Sequence, residues 1–139
     1  IDSKHDSYLH QHCAVNVVSK ECTESNGYKD KSIEEIYELL VASTDGLVII
    51  TSGENDMIYG RKGQLMKRMK PFSVDVKSTL GAGDTFKAGC VYGLLHGMED
   101  DELVRFASAC SAIAISRFPL PLNPPTLLEV NSLLENTKK

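Results

Sequence analysis

The sequence contains no apolar run that approaches the roughly 20 residues needed to span a bilayer, so we expect no membrane-inserted helix. It also has no basic excess: the formal net charge is -4 and the lysines are scattered, which provides no patch for a phosphate backbone. We therefore expect neither nucleic acid nor a membrane as a partner. The composition, 42% hydrophobic and 24% charged, is typical of a soluble globular domain, and small molecules remain as ligands.

The cysteines show no C-x-x-C pair, and no signal segment opens the chain. Cys90 and Cys110 lie in apolar helical patterns, where a free thiol packs as a small hydrophobic group. This usage favours a reducing, cytoplasmic location. Because the sequence does not begin with methionine, we expect it to be a portion of a longer protein.

Strand and helix patterns alternate along the chain. Strands are predicted at residues 14–18, 46–51, 56–60, 64–69 and 72–76. Helices are predicted at residues 32–41, 84–96, 101–117 and 126–134. Ser32 and Glu35 have capping-box spacing, and Arg61-Lys62-Gly63 is typical of a hairpin turn. Together these elements predict an α/β fold in which helices cover a mostly parallel sheet.

The most informative segment is the glycine-rich turn at residues 81–83, which leads into a helix. Glycines leave backbone N–H groups uncovered, and a helix N-terminus adds partial positive charge, so the turn can receive an anion such as a phosphate. Asp84 follows immediately and would lie close enough to accept a proton from an attacking hydroxyl. Alternatively, Asp84 is only the N-cap of the helix. The turn by itself leaves both interpretations open.

Two familiar nucleotide motifs are excluded at this turn. A P-loop requires Gly-Lys-Ser/Thr at the start of the helix, and a dinucleotide fingerprint requires glycine where Phe86 stands. The turn therefore belongs to neither of these phosphate-binding classes.

Four segments in order resemble one known family, the ribokinase-like or PfkB carbohydrate kinases. Residues 78–88 are similar to the second signature of that family, and Thr51-Ser52-Gly53-Glu54 resembles its Thr-x-Gly nucleotide loop. Residues 105–117 resemble the helix that lines the adenine pocket, and Pro125-Thr126 with Glu129-Val130 resembles the closing motif. The resemblance implies a three-layer ribokinase-like fold and an ATP-dependent kinase that phosphorylates a sugar hydroxyl.

The resemblance also implies a role for each matching residue. Asp84 would be the catalytic base, and the backbone of Gly81, Ala82 and Gly83 would form the anion hole. ATP would be bound by Ser19, Glu21, Thr51, Gly53, Glu54 and Ser108. The segment that begins at Ser19 stands where many members organise Mg²⁺ and phosphate through water, so no direct protein ligand to the metal is expected.

A monovalent-cation site is a further implication of the resemblance, and it would be formed by Ser78, Leu80, Ala114 and Arg117. Ser78 stands where the family usually has Asp, and Pro119 stands where it usually has Gly. Because a carboxylate is the stronger ligand for a hard cation, these departures predict weak dependence on potassium.

The N-terminal portion of the family, which carries most sugar-binding residues and the lid, has no counterpart in the sequence. We therefore expect residues 1–139 to be the C-terminal, nucleotide-binding half of a ribokinase-like domain, inactive by itself and completed by that N-terminal segment. The complete protein is a possible homodimer. Alternatives are a nucleotide-binding module or pseudo-enzyme of the same fold, or a nucleoside kinase of the same family. The retention of Asp84 and the anion-hole glycines favours the sugar kinase.

Overall fold

The computed structural model describes residues 4–119 and 122–138. It divides into two compact units, with the boundary between Lys70 and Pro71. The first unit contains α1 (Tyr8–His12), β1 (Val15–Ser19), α2 (Lys20–Thr23), a π-helical turn (Glu24–Tyr28), α3 (Ile33–Ala42), β2 (Leu47–Ser52), β3 (Asn55–Gly60) and β4 (Lys67–Met69). The second unit contains α4 (Ala82–Leu95), α5 (Asp100–Ile115) and α6 (Leu127–Asn136).

The sheet of the first unit has the order β1-β2-β3-β4. β1 and β2 pair in parallel through the α3 crossover, whereas β2, β3 and β4 pair antiparallel. The α/β class is therefore confirmed, and the predicted hairpin is present as β3 and β4. Among the described residues the sheet is mixed rather than mostly parallel, because the short connections after β2 and β3 reverse the chain direction.

Helix α3 covers the sheet and starts where the sequence predicts. Ser32 is the N-cap: its hydroxyl accepts from the Glu35 N–H at 3.2 Å, and the Glu35 carboxylate accepts from the Ser32 N–H at 2.7 Å. Ile36 and Leu40 of this helix are buried in one core cluster with Val48 and Ile58 of the sheet. The capping box and the apolar face thus fix both the start of the helix and its packing.

In the second unit, α4 and α5 pack closely along small residues. A Cβ added to Gly89 would lie 2.7 Å from the Cα of Ala107, so the two backbones approach to within a distance that only glycine allows. Val130 of α6 joins Phe106 and Ile113 of α5 in the core of this unit. No helix among the described residues is long and apolar enough to cross a membrane.

The strand predicted at residues 72–76 is wrong. The structure has no strand there, and the N–H groups of Lys77 and Ser78 donate instead to the carbonyl of Ile115, at 2.7 and 3.2 Å. Residues 73 and 75–77 are exposed, so the segment lacks the buried face that makes a strand favourable. The segment therefore connects to the end of α5 instead of extending a sheet.

The contact between Gly89 and Ala107 predicts a specific cost for an added methyl group. Gly89→Ala should reduce the free energy of unfolding by about 1–3 kcal/mol, because the neighbouring atom is backbone and cannot rotate away. Gly93→Ala is the matched control, since the atoms nearest to its Cβ belong to a side chain, that of Leu103, at 2.9 Å from Cγ. Urea unfolding of both variants tests this prediction, and equal losses would contradict it.

Candidate active site

The N-terminal turn of α4 carries the strongest candidate chemistry. Gly81 is the N-cap, with φ 80° and ψ 2° in the left-handed region, which places Ala82, Gly83 and Asp84 at the first three helical positions. The N–H of Ala82 donates to the Thr79 carbonyl at 3.2 Å. The N–H groups of Gly81 and Gly83 make no hydrogen bond within the described part of the chain. Two of the three predicted anion donors are thus unengaged.

Asp84 is the third residue of the helix and is exposed. Its carboxylate makes no hydrogen bond or ion pair to any other residue that the structure describes. The alternative in which Asp84 is the N-cap is wrong, because Gly81 holds that position through its left-handed backbone. A Cβ added to Gly83 would meet nothing within 4 Å, so the turn beside Asp84 opens onto free space. The carboxylate and the uncovered N–H groups are therefore all available to a ligand.

A cavity of about 520 Å³ adjoins Asp84 within the second unit. Its wall is mostly apolar and includes the rings of Tyr92 and Phe106, which stack with centroids 4.9 Å apart. Thr85 and Thr126 are among the few lining residues with hydroxyl groups. A sugar needs many hydrogen-bonding partners, so this cavity does not by itself provide an acceptor site.

The predicted nucleotide residues of the first unit meet at one edge of its sheet. Ser19 ends β1 and Thr51 lies near the end of β2, and these two residues are paired in the parallel register. Gly53, with φ 59°, and Glu54 form the exposed turn that follows β2. The carboxyl ends of parallel strands are the usual position of ligands in α/β sheets.

Two further residues predicted to bind ATP, Glu21 and Ser108, lie on helices and not at the ends of the strands. Glu21 is exposed on α2, whose N-cap is Ser19 through a hydrogen bond from the Cys22 N–H to Ser19 Oγ at 3.1 Å. Ser108 lies on α5 and is only 3% exposed. Its side chain is therefore almost completely buried in the second unit.

The residues predicted for a monovalent cation come together in part. Ser78 lies beside the end of α5, because its N–H donates to Ile115, the residue after Ala114. The Ser78 hydroxyl accepts from the N–H of Leu80 at 3.3 Å. The Arg117 guanidinium forms an ion pair with the Glu129 carboxylate, with 2.5 Å between Nη2 and Oε1. Of the described residues predicted for the ion, Ser78 has a hydroxyl, whereas Leu80 and Ala114 have no polar side-chain atom.

Sequence reasoning did not find the interactions of Glu129, although Thr126 and Glu129 have capping-box spacing. The Glu129 carboxylate accepts from the Thr126 N–H and Oγ, both at 2.8 Å, and from Arg117. Arg117 and the cap lower the pKa of Glu129 to about 2. The start of α6 is therefore tied to the end of α5 by one carboxylate.

Direct metal ligation has no support in the described residues. They contain no group of three or more His, Cys, Asp or Glu side chains that could hold a metal ion. Mg²⁺ commonly keeps several waters and binds through substrate phosphates, so such a group of side chains is not a requirement for this ion.

Comparison with known families identifies the family of the chain. Residues 10–125 match the profile of the pfkB family carbohydrate kinases, which is most of the chain. The chain belongs to the pfkB family. The family expected from the four resembling segments is thereby confirmed, and the turn at residues 81–83 lies within the matched range.

Individual relatives agree with this assignment. The chain is 33% identical over 103 residues to a 5-dehydro-2-deoxygluconokinase of Shouchella clausii, covering 73% of this chain and 31% of that protein. It resembles a ribokinase of Thermotoga maritima with a TM-score of 0.81, 24% identity, and coverage of 92% of this chain and 44% of the other. A putative ribokinase II of E. coli in complex with ATP and Mg²⁺ gives a TM-score of 0.80 at 16% identity, covering 93% of this chain and 41% of that one.

These comparisons confirm the ribokinase-like fold and set the extent of the match. The match covers 31% of the Shouchella clausii kinase and 32% of a 5-dehydro-2-deoxygluconokinase of Bacillus subtilis. The chain thus spans about a third of the length of these relatives. The solved ribokinase is likewise matched over 44% of its chain.

The low pKa of Glu129 predicts a pH-dependent contribution to stability. A depressed carboxyl pKa stabilises the fold above the ordinary value of 4.5, and this contribution is lost as the pH falls towards about 2. Glu129→Gln should therefore lower Tm at neutral pH, and its difference from the wild type should shrink across this range. Glu135→Gln, an exposed carboxylate of the same helix, is the control. Thermal unfolding from pH 7 to pH 2 tests this, and a constant Tm difference would contradict it.

Proposed function

We propose that residues 1–139 form the nucleotide-binding half of an ATP-dependent carbohydrate kinase that transfers the γ-phosphoryl group to a sugar hydroxyl. The observation that carries the proposal is the exposed carboxylate of Asp84 beside the N–H groups of Gly81 and Gly83, none of which has a partner among the residues that the structure describes. A proton acceptor and anion donors at one helix start are what this transfer requires.

Asp84 accepts the proton of the sugar hydroxyl. As the oxygen of that hydroxyl bonds to the γ-phosphorus, the bond between the γ-phosphorus and the ADP oxygen breaks. Negative charge on the transferring group is stabilised by the N–H groups of Gly81 and Gly83 and by the partial charge of the α4 N-terminus. Ala82 contributes through the shape of the turn, because its own N–H donates to Thr79. The transfer requires little covalent chemistry from the protein, whose main contribution is to position the reacting groups.

ATP is proposed to lie at the sheet edge formed by Ser19 and Thr51, with Gly53 and Glu54 bordering the ribose and phosphates. The register of β1 and β2 supports this arrangement, since it pairs Ser19 with Thr51. Glu21 would act on Mg²⁺ through water, and Mg²⁺ would neutralise phosphate charge. The E. coli structure in complex with ATP and Mg²⁺ supports both cofactors. Because Ser108 is buried in α5, we propose that it does not contact the nucleotide directly.

The sugar is proposed to be held mainly by residues outside this chain. The apolar cavity beside Asp84 offers few hydrogen-bonding groups, and the match covers only 31% of one relative. The name of that relative makes 5-dehydro-2-deoxygluconate the first acceptor to test, followed by ribose and by nucleosides. Activity on nucleosides alone would favour the nucleoside-kinase alternative.

A cytoplasmic location accompanies this proposal. All four cysteines are free thiols in the structure, and two of them, Cys90 and Cys110, are buried. Burial raises the pKa of the Cys90 thiol to about 12 and that of Cys110 to about 11, so both stay protonated and unreactive. Free thiols of this kind persist in a reducing compartment, where ATP is also available.

The role of Asp84 is tested by Asp84→Asn in the protein that carries this chain. Loss of a general base should lower kcat by about 10²–10⁴, with ATP affinity and Tm nearly unchanged. Asn is close to isosteric, and Asp84 has no bond within the described residues that the substitution would break.

Asp30→Asn is the matched control, because Asp30 is an exposed carboxylate outside the proposed site. Steady-state kinetics, nucleotide titration and thermal unfolding of both variants separate the interpretations. Wild-type turnover in Asp84→Asn would remove Asp84 from the mechanism. An inactive wild type with intact ATP binding would favour the pseudo-enzyme.

The cation site generates a separate prediction. Rates in potassium and in tetramethylammonium at equal ionic strength should differ by much less than an order of magnitude, because Ser78 supplies no carboxylate. Ser78→Asp should increase the dependence on potassium, since it adds a hard-cation ligand beside the end of α5. A strong potassium requirement in the wild type would contradict the prediction.

A further inference from the structure

Helices α4 and α5 pack antiparallel, so later positions of α5 meet earlier positions of α4. Their contact ends at the start of α4, where the proposed anion hole lies. A Cβ at Gly93 would meet Leu103, and one at Gly89 would meet Ala107. The next residue in this series, one turn beyond Ala107, is Ser111, and it lies against the first residue of α4. The Ser111 hydroxyl donates to the Ala82 carbonyl, with 3.1 Å between Oγ and O.

This hydrogen bond acts on a peptide group of the anion turn itself. The carbonyl of Ala82 and the N–H of Gly83 belong to one planar peptide unit and point in opposite directions. A donor that holds the carbonyl therefore also fixes the direction of the Gly83 N–H. It polarises the same unit as well, which makes that N–H a better donor. Gly83 is one of the two unengaged donors beside Asp84.

The surroundings of Ser111 make the hydroxyl effective as an anchor. Its neighbours on the α5 sequence, Cys110 and Ala112, are buried and apolar, and Ser111 itself is half-buried. At Gly89 and Ala107 the backbones of the two helices lie against each other, one turn of α5 from Ser111. The hydroxyl thus lies next to a close contact between α4 and α5.

We propose that Ser111 is a positioning residue that orients the Gly83 N–H toward the transferring phosphoryl group. This inference rests on the proposed function, since it assigns Gly83 to the anion hole. Ser111 does not contact the substrates in this assignment, and it acts through the peptide between Ala82 and Gly83.

Kinetics of three variants test the role in catalysis. Deleting a whole oxyanion donor costs about 10²–10³ in kcat, so misorienting one donor through Ser111→Ala should cost roughly tenfold, with KM for ATP changed much less. Ser111→Thr keeps the hydroxyl and should restore kcat. Ser43→Ala is the control, because its hydroxyl donates to a carbonyl of its own helix, Leu39, at 3.0 Å. Wild-type kcat in Ser111→Ala, or an equal loss in Ser43→Ala, would overturn the proposal.

An NMR measurement separates failure of this inference from failure of the kinase assignment. Loss of the bond to the Ala82 carbonyl should shift the amide ¹⁵N resonance of Gly83 in Ser111→Ala and leave it in place in Ser43→Ala. If the wild type lacks turnover, the kinase proposal fails, and this shift still tests the orienting bond. An unchanged Gly83 resonance would overturn the positioning role whatever the kinetics, and it remains measurable if Ser111→Thr does not fold.

Discussion

The left-handed backbone of Gly81 is the constraint on which the candidate site depends. At φ 80° a residue with a Cβ is strained, so glycine allows the chain to turn abruptly into α4. That turn sets Asp84 at the third helical position and leaves the N–H of Gly83 without a partner in the described chain. A helix that started one residue later would redirect the carboxylate and cover a different set of donors.

Much of the fold could be predicted because its determinants are local. The Ser32 and Glu35 capping box, the apolar strand at Leu47–Ser52 and the hairpin are encoded by neighbouring residues, and the structure confirms them. The segment at residues 72–76 was predicted wrongly because a strand depends on a partner that local pattern does not reveal. Its end is bound instead by the carbonyl of Ile115, which is distant in sequence.

The candidate site follows the same division. Glycines followed by an acid predict an anion turn from sequence, and the structure has a glycine turn at the start of a helix there. The N-cap is Gly81 and not Asp84, because backbone conformation is not visible in residue type alone. The role of Ser111 depends on α5 packing 29 residues away from Ala82, so no local signal indicates it. The Thr126 and Glu129 spacing, by contrast, was a usable signal for the cap of α6.

The shared use of Glu129 links positions that are separate in the sequence. One carboxylate caps α6 through Thr126 and neutralises Arg117 at the end of α5. Loss of Arg117 would leave a charged cap without its counter-ion, and loss of Glu129 would leave a half-buried guanidinium without its counter-ion. We therefore expect Arg117, Thr126 and Glu129 to be substituted together or retained together in related proteins. The end of α5 and the start of α6 should then vary in sequence as one unit.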